Sequence, residues 1–260
     1  MKNILVPFDF SKAAANALKY AIKFADNDSK INIYLLHILS GDSIKEEVVS
    51  KLNEITSAYN KPMSPKVESI VRDGDLAKTI INIKKELEAD LVIMGTSGAP
   101  NSEEDDLATR TSKFVQQADL PVLVIPEKTT NFKIKNIILT VGKEKIVDTS
   151  PLNLLLDVSR KFNAQVQLLT VQKNEKDLGY SQEDESNENI LEYYLEMFYS
   201  HHSFAENSDI EKGIREHIKK HKMDMLAFMP RTHSKNGKSS EGRLTKILTL
   251  RSDIPLLVLD

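Results

Sequence analysis

The chain has 260 residues, 40% hydrophobic, 28% charged and 6% aromatic, enough apolar content to bury a core and too balanced for a disordered or fibrous chain. Lys plus Arg number 35 against 38 Asp plus Glu, a net charge of −3, so the global basic character of a nucleic-acid binder is missing. Cysteine is absent, which excludes disulfides, thiolate nucleophiles and thiolate zinc sites. The opening Met1-Lys2-Asn3-Ile4-Leu5-Val6-Pro7 is too short an apolar run for a signal-peptide core, and no stretch approaches ~18 apolar residues. A soluble, cytoplasmic protein without membrane or nucleic-acid partners is expected.

Along the chain, short runs rich in Val, Ile and Leu alternate with longer amphipathic segments, the pattern of βα units around a parallel sheet. Strands are predicted at 3–7, 31–38, 66–71, 90–94 and 121–125. Between them, Ser11 can cap a helix with Ala14, Ala17, Leu18 and Ala21 on one face, and a second helix presents Ile44, Val48, Leu52 and Ile55. Asp75 opens a third with Leu76, Ile80, Ile83 and Leu87, and a fourth carries Thr111, Phe114, Val115 and Ala118. A polar, aperiodic segment, 127–131, follows as a linker.

The pattern then repeats. Lys2-Asn3-Ile4-Leu5-Val6 returns as Lys135-Asn136-Ile137-Ile138-Leu139, and Asp90-Leu91-Val92-Ile93-Met94 as Asp224-Met225-Leu226-Ala227-Phe228. Pro121-Val122-Leu123-Val124-Ile125 returns as Pro255-Leu256-Leu257-Val258-Leu259. Domains are therefore expected over 1–126 and 132–260, the second with strands near 134–141, 165–171, 201–206, 224–229 and 255–259. Its helix starts are predicted at a Ser150-Pro151 cap and a Ser208-to-Glu211 capping box, and residues 174–189 read as a polar, acidic loop.

Ligands of open parallel sheets bind beyond the carboxyl ends of the strands. Asp9 follows the first strand, His37-Ile38 ends the second, and Met94-Gly95-Thr96-Ser97-Gly98 follows the fourth, leading to Thr109-Arg110 at the next helix start. Glycines there let backbone amides approach an anion, and a helix start adds unpaired amides. Asp9 also reads as a turn carboxylate and His37 as a structural histidine. His217 and His221 have helical metal-ligand spacing with no third ligand in view, and Gly237-Lys238-Ser239 lacks the glycine and preceding strand of a P-loop.

Taken together, Ile4-Leu5-Val6-Pro7-Phe8-Asp9-Phe10-Ser11, Leu35-Leu36-His37-Ile38, Gly74 before a helix, Asp90 to Thr96 and Pro121 to Pro126 resemble the universal stress protein family, over 1–126 closely and over 132–260 more weakly. The resemblance implies an α/β fold of two tandem five-stranded parallel-sheet domains, strand order 3-2-1-4-5 with helices on both faces, paired through their fifth strands, and in one subclass ATP or AMP binding with Mg. It carries a nucleotide site over to Asp9, Ile38, Gly95, Gly98, Thr109 and Arg110. Ala108 stands where that subclass has its third glycine, and Glu103-Glu104-Asp105-Asp106 places carboxylates in the loop that would face phosphates. In the second half Gly142 replaces the strand-one aspartate and Pro230 lacks an amide a phosphate would use. No nucleophile–base pair is visible. The expectation is a non-enzymatic stress-response interaction or scaffold module that self-associates, forms a homodimer and binds other proteins, with lost or weak nucleotide binding; the alternative is an ATP/AMP-binding sensor using the N-terminal site.

Overall fold

The computed structural model describes residues 1–26, 28–39, 41, 44–98, 109–117, 120–141, 145–173, 180–229 and 242–259. The described residues divide into two compact units, one ending at Phe132 and the other beginning at Lys133.

In the first unit the apolar runs form β1 (Asn3–Pro7), β2 (Asn32–Ile38), β3 (Lys66–Arg72), β4 (Leu91–Thr96) and β5 (Val122–Pro126). They are parallel and ordered β3-β2-β1-β4-β5. Parallel neighbours require crossovers, and these are α1 (Lys12–Ala25), α2 (Lys45–Tyr59), α3 (Leu76–Glu86) and α4 (Arg110–Gln117). Ile4, Leu5, Leu35, Leu91 and Ile93 are wholly buried, as strands covered on both faces must be. Ser11 accepts from Ala14 N at 3.1 Å and Asp75 from Lys78 N at 3.0 Å, so both predicted caps form. The face of α1 is small, with Ala13, Ala14, Ala17 and Ala21 buried, which lets that helix lie close against the sheet.

The segment after β5 is tied down. Asn16 Nδ2 on α1 donates to the carbonyls of Pro126 (3.1 Å) and Thr129 (2.9 Å), and the Tyr20 and Phe132 rings meet with centroids 4.7 Å apart. Asn16→Ala is expected to leave β1 to β5 folded while amide exchange at residues 127–130 speeds by about tenfold, because those carbonyls lose their side-chain donor. Hydrogen-exchange mass spectrometry reads this directly.

The second unit has β6 (Asn136–Thr140), α5 (Ser150–Phe162), β7 (Gln165–Gln172), α6 (Gln182–Leu195), β8 (Tyr199–Glu206), α7 (Ile210–His221), β9 (Met225–Phe228), α8 (Gly242–Arg251) and β10 (Leu256–Val258). Its parallel order is β8-β7-β6-β9-β10. Both units share one tie at the amino-terminal strand ends. Asp90 Oδ2 accepts from Lys2 N (2.6 Å) and Asn3 N (2.9 Å), and Asp224 Oδ2 accepts from Lys135 N (3.0 Å) and Asn136 N (2.9 Å).

Three sequence expectations are corrected here. Most of the polar stretch 174–189 is not loop from Ser181 onward: Ser181 and Asp184 form a reciprocal capping box that starts α6, while 174–179 lie outside the described residues. Helix α7 is capped by Asp209, whose side chain accepts from Lys212 N at 3.2 Å, in place of Ser208. Ser150 is already helical in α5, preceded by Thr149, which makes no side-chain cap bond. Proline near the first position is compatible with either start, which is why the sequence placed the boundary one residue late.

Candidate functional site

In the first unit the sheet order reverses between β1 and β4, and a crevice at the carboxyl ends of those strands is the position where such sheets take ligands. The loop after β1 enters α1 through a tight turn. Asp9 Oδ1 accepts from Ser11 N at 3.0 Å, and Phe10 takes a left-handed conformation with φ 62°. The Phe10 ring meets Phe8 edge-on at 5.3 Å and His37 at 5.0 Å, and remains 39% exposed. His37 is buried and its Nδ1–H donates to the Phe8 carbonyl at 2.7 Å, fastening the end of β2 to the end of β1. That bond accounts for the histidine structurally. Ile38 closes β2, half-buried.

Gly95 lies within β4, and its lack of a side chain has a packing cause. A Cβ there would stand 2.1 Å from the Ala13 carbonyl oxygen and 2.9 Å from Ala14 N, so α1 crosses β4 at backbone contact. One residue on, Thr96 Oγ1 accepts from Gly98 N at 3.2 Å, and Gly98 has φ 68°, a conformation that favours glycine. Thr109 Oγ1 accepts from Ser112 N at 3.1 Å at the start of α4, and Arg110 is exposed in its first turn. Thr111, read from the sequence only as a packing position, donates through Oγ1 to Gly95 O at 2.7 Å and so joins α4 to the end of β4. A hydroxyl two residues past the cap was the available signal.

Asp9, Ile38, Gly95, Gly98, Thr109 and Arg110 thus all fall on the carboxyl edge of the first sheet, and Asp9, Gly98 and Thr109 each make a local bond to their own turn or helix. Ala108 and Glu103 to Asp106 lie outside the described residues, as do Gly142, Pro230 and Gly237-Lys238-Ser239.

The second unit holds two histidine clusters. Gln167 Nε2 meets His217 Nε2 at 3.0 Å and also donates to Ser203 Oγ, so the His217 nitrogen is the acceptor and the ring is neutral. Burial pushes His217 down to about 4, helped by His221, whose ring stacks on it at 4.1 Å, and by Lys220 and His201. The helical spacing that suggested metal ligation serves this stack. On the other sheet face, His202 Nε2 lies 2.9 Å from Thr170 Oγ1, and Glu188 accepts from Tyr180 (2.5 Å) and Tyr199 (3.0 Å). The Glu188 bond, followed by burial, lifts Tyr180 to about 12; burial first and then Glu188 lift Tyr199. His202 is pushed down by burial, against the pull of Asp184 and Glu188. Among the described residues no group of His, Cys, Asp and Glu is arranged to hold a metal ion, and no helix is long and apolar enough to cross a membrane.

A family model described as the universal stress protein family matches residues 1–126. Universal stress protein MJ0577 of Methanocaldococcus jannaschii is 26% identical over 156 residues, spanning 49% of this chain and 96% of that relative. Among solved structures, a universal stress protein from Archaeoglobus fulgidus superimposes with a TM-score of 0.73 at 17% identity, covering 100% of this chain and 98% of its own. A functionally unknown protein from Pseudomonas aeruginosa, PA1789, gives 0.67 at 16%, covering 100% and 92%. At those identities the two structures are alike in fold. With the model match falling on the unit whose strands run β3-β2-β1-β4-β5, the chain belongs, through residues 1–126, to the universal stress protein family.

Proposed function

We propose that this chain is a non-enzymatic stress-response protein that works as an interaction module, contacting protein partners or a second copy of itself, and that its N-terminal crevice binds adenine nucleotide weakly or not at all. The observation that carries this reading is the local commitment of the crevice. Gly95 is required by the approach of α1, Asp9 closes the turn into α1, and Thr109 caps α4, so each of these residue types is explained by folding without a ligand. The acidic run Glu103 to Asp106, next in sequence to the crevice, adds charge of the wrong sign for a phosphate chain.

The second reading is an ATP- or AMP-binding sensor, with Mg, that uses Asp9, Ile38, Gly95, Gly98, Thr109 and Arg110. It is favoured by the left-handed Gly98 just after β4 and by the start of α4, which Thr111 ties to Gly95 at the end of that strand, since a helix start offers unpaired amides to an anion.

Thermal melting of the full chain with millimolar ATP, ADP or AMP, with and without magnesium, separates the two. A ligand at 100 times its Kd adds about 2.7 kcal/mol, a rise in Tm of roughly 5 to 10 °C for a domain pair of this size. The proposal expects a shift below about 1 °C. A saturable rise that disappears in Asp9→Ala establishes the sensor instead.

A further inference from the structure

The second unit carries a cavity at the opposite, amino-terminal edge of its sheet. Along α7, Glu211, Arg215 and Ile218 are spaced four and three residues apart and share one helix face, and Lys222 caps the helix just beyond them. That face meets the start of β9, the end of α8 and the turn at 252–254 that leads into β10, and the elements enclose a space of ≈ 200 Å³. Its floor is apolar, with Ile218, Met223, Leu226 and Leu248 all buried.

The rim is cationic, with Arg215, Lys219 and Lys222. Of the two carboxylates there, Glu211 is already engaged: Arg215 Nη1 lies 3.3 Å and Arg251 Nη1 3.6 Å from it. Asp253 Oδ2 lies 3.8 Å from Arg215 Nη2 and 3.9 Å from Lys219 Nζ, within ion-pair range of both and hydrogen-bonded to neither. Arg215 Nε is buried and has no hydrogen-bond acceptor among the described residues. A buried donor left unmet is costly, and here it belongs to a guanidinium at the mouth of an apolar space.

We infer that this cavity binds a small amphipathic monocarboxylate, its carboxylate between Arg215 and Lys219 and its apolar body on the Ile218–Leu226–Leu248 floor. Size supports an aromatic or short branched body: an apolar cavity of about 150 Å³ accepts benzene, and this one is somewhat larger. The flexible Met223 side chain lets the wall adapt to different shapes. Charge selects the head group, since Asp253 is hydrogen-bonded to neither Arg215 nor Lys219, an alcohol of the same shape brings no second negative charge to them, and an inorganic anion leaves the floor empty. The site lies within the second unit, at the amino-terminal ends of its own strands, and rests on no reading of the first unit.

Thermal melting and titration calorimetry of the full chain with benzoate, benzyl alcohol and inorganic phosphate test the assignment. Benzoate is expected to raise Tm saturably, with benzyl alcohol at least about tenfold weaker and phosphate without effect. Lys219→Met, at an exposed position, should weaken benzoate about tenfold and leave benzyl alcohol unchanged. Ile254→Phe, which fills the mouth, should abolish both. The assignment is overturned by no saturable response to benzoate in the unaltered chain, by equal responses to benzoate and benzyl alcohol, or by a benzoate response that Lys219→Met does not move; that last readout stands even if Ile254→Phe fails to fold.

Discussion

Gly95→Ala should destabilise the first unit by about 3 kcal/mol or more, an effect out of scale with a single methyl group. The added Cβ would fall 2.1 Å from the Ala13 carbonyl oxygen, and the obstruction is backbone on both sides, α1 against β4, so no side-chain rotation relieves it. The helix must lift from the sheet, which uncovers Ala14, Ala17 and Ala21 together. Urea titration followed by circular dichroism would show an early transition for the first unit, with the second unit unfolding where it does in the parent chain. Gly98→Ala is the control: its strain comes only from a φ of 68°, for a loss of roughly 1 kcal/mol. Equal midpoints for the two variants would show that α1 does not press on β4.

The second large effect is acid lability of the second unit through His217. Unfolded, this histidine takes up a proton near pH 6.5, whereas in the native state burial, with His221, Lys220 and His201 around it, holds it neutral down to about 4. The unfolded chain therefore binds more protons over that window, and stability falls as the pH is lowered through it. The contribution is complete above about pH 6.5, drains away down to about pH 4 and is flat below, on the order of 2 kcal/mol after allowance for the water that reaches this part of α7. Protonation would also set an N–H against the Gln167 amide. His217→Gln keeps a partner for Gln167 and removes this titration, so its urea midpoint should fall less than the parent's between pH 6.5 and 4, the remaining fall belonging to groups such as His202. Parallel pH profiles for the two proteins would exclude His217 as the cause.

Most strands were readable because they are short apolar runs bounded by polar residues, the polar edge strand β8 being the exception; Asn3–Pro7 and Lys66–Arg72 fall within a residue of the pattern. Helix α6 was hidden for a physical reason. Its buried face holds Asn187 with Leu191 and Leu195, and Asn187 is buried because its Oδ1 accepts from Ile146 N at 2.7 Å, a contact across 41 residues that no local period reveals. The Ser181–Asp184 capping box was the only local clue. The crevice was legible in its residue types and its place on the sheet, and illegible in what those residues do there. Nothing local tells whether a glycine spares room for a phosphate or for a neighbouring helix, and the closeness of Ala13 to Gly95 is settled only once α1 docks.

The paired carboxylate staples bear on how such a protein can change over time. Asp90 and Asp224 each clamp two successive amides where a central strand of their own unit begins. In the first unit the central strands are thus held at both ends, by Asp90 where β1 begins and by the His37–Phe8 bond where it finishes. The loops beyond those two ties carry no such duty, so they can gain or shed recognition chemistry while the scaffold beneath them stays in register.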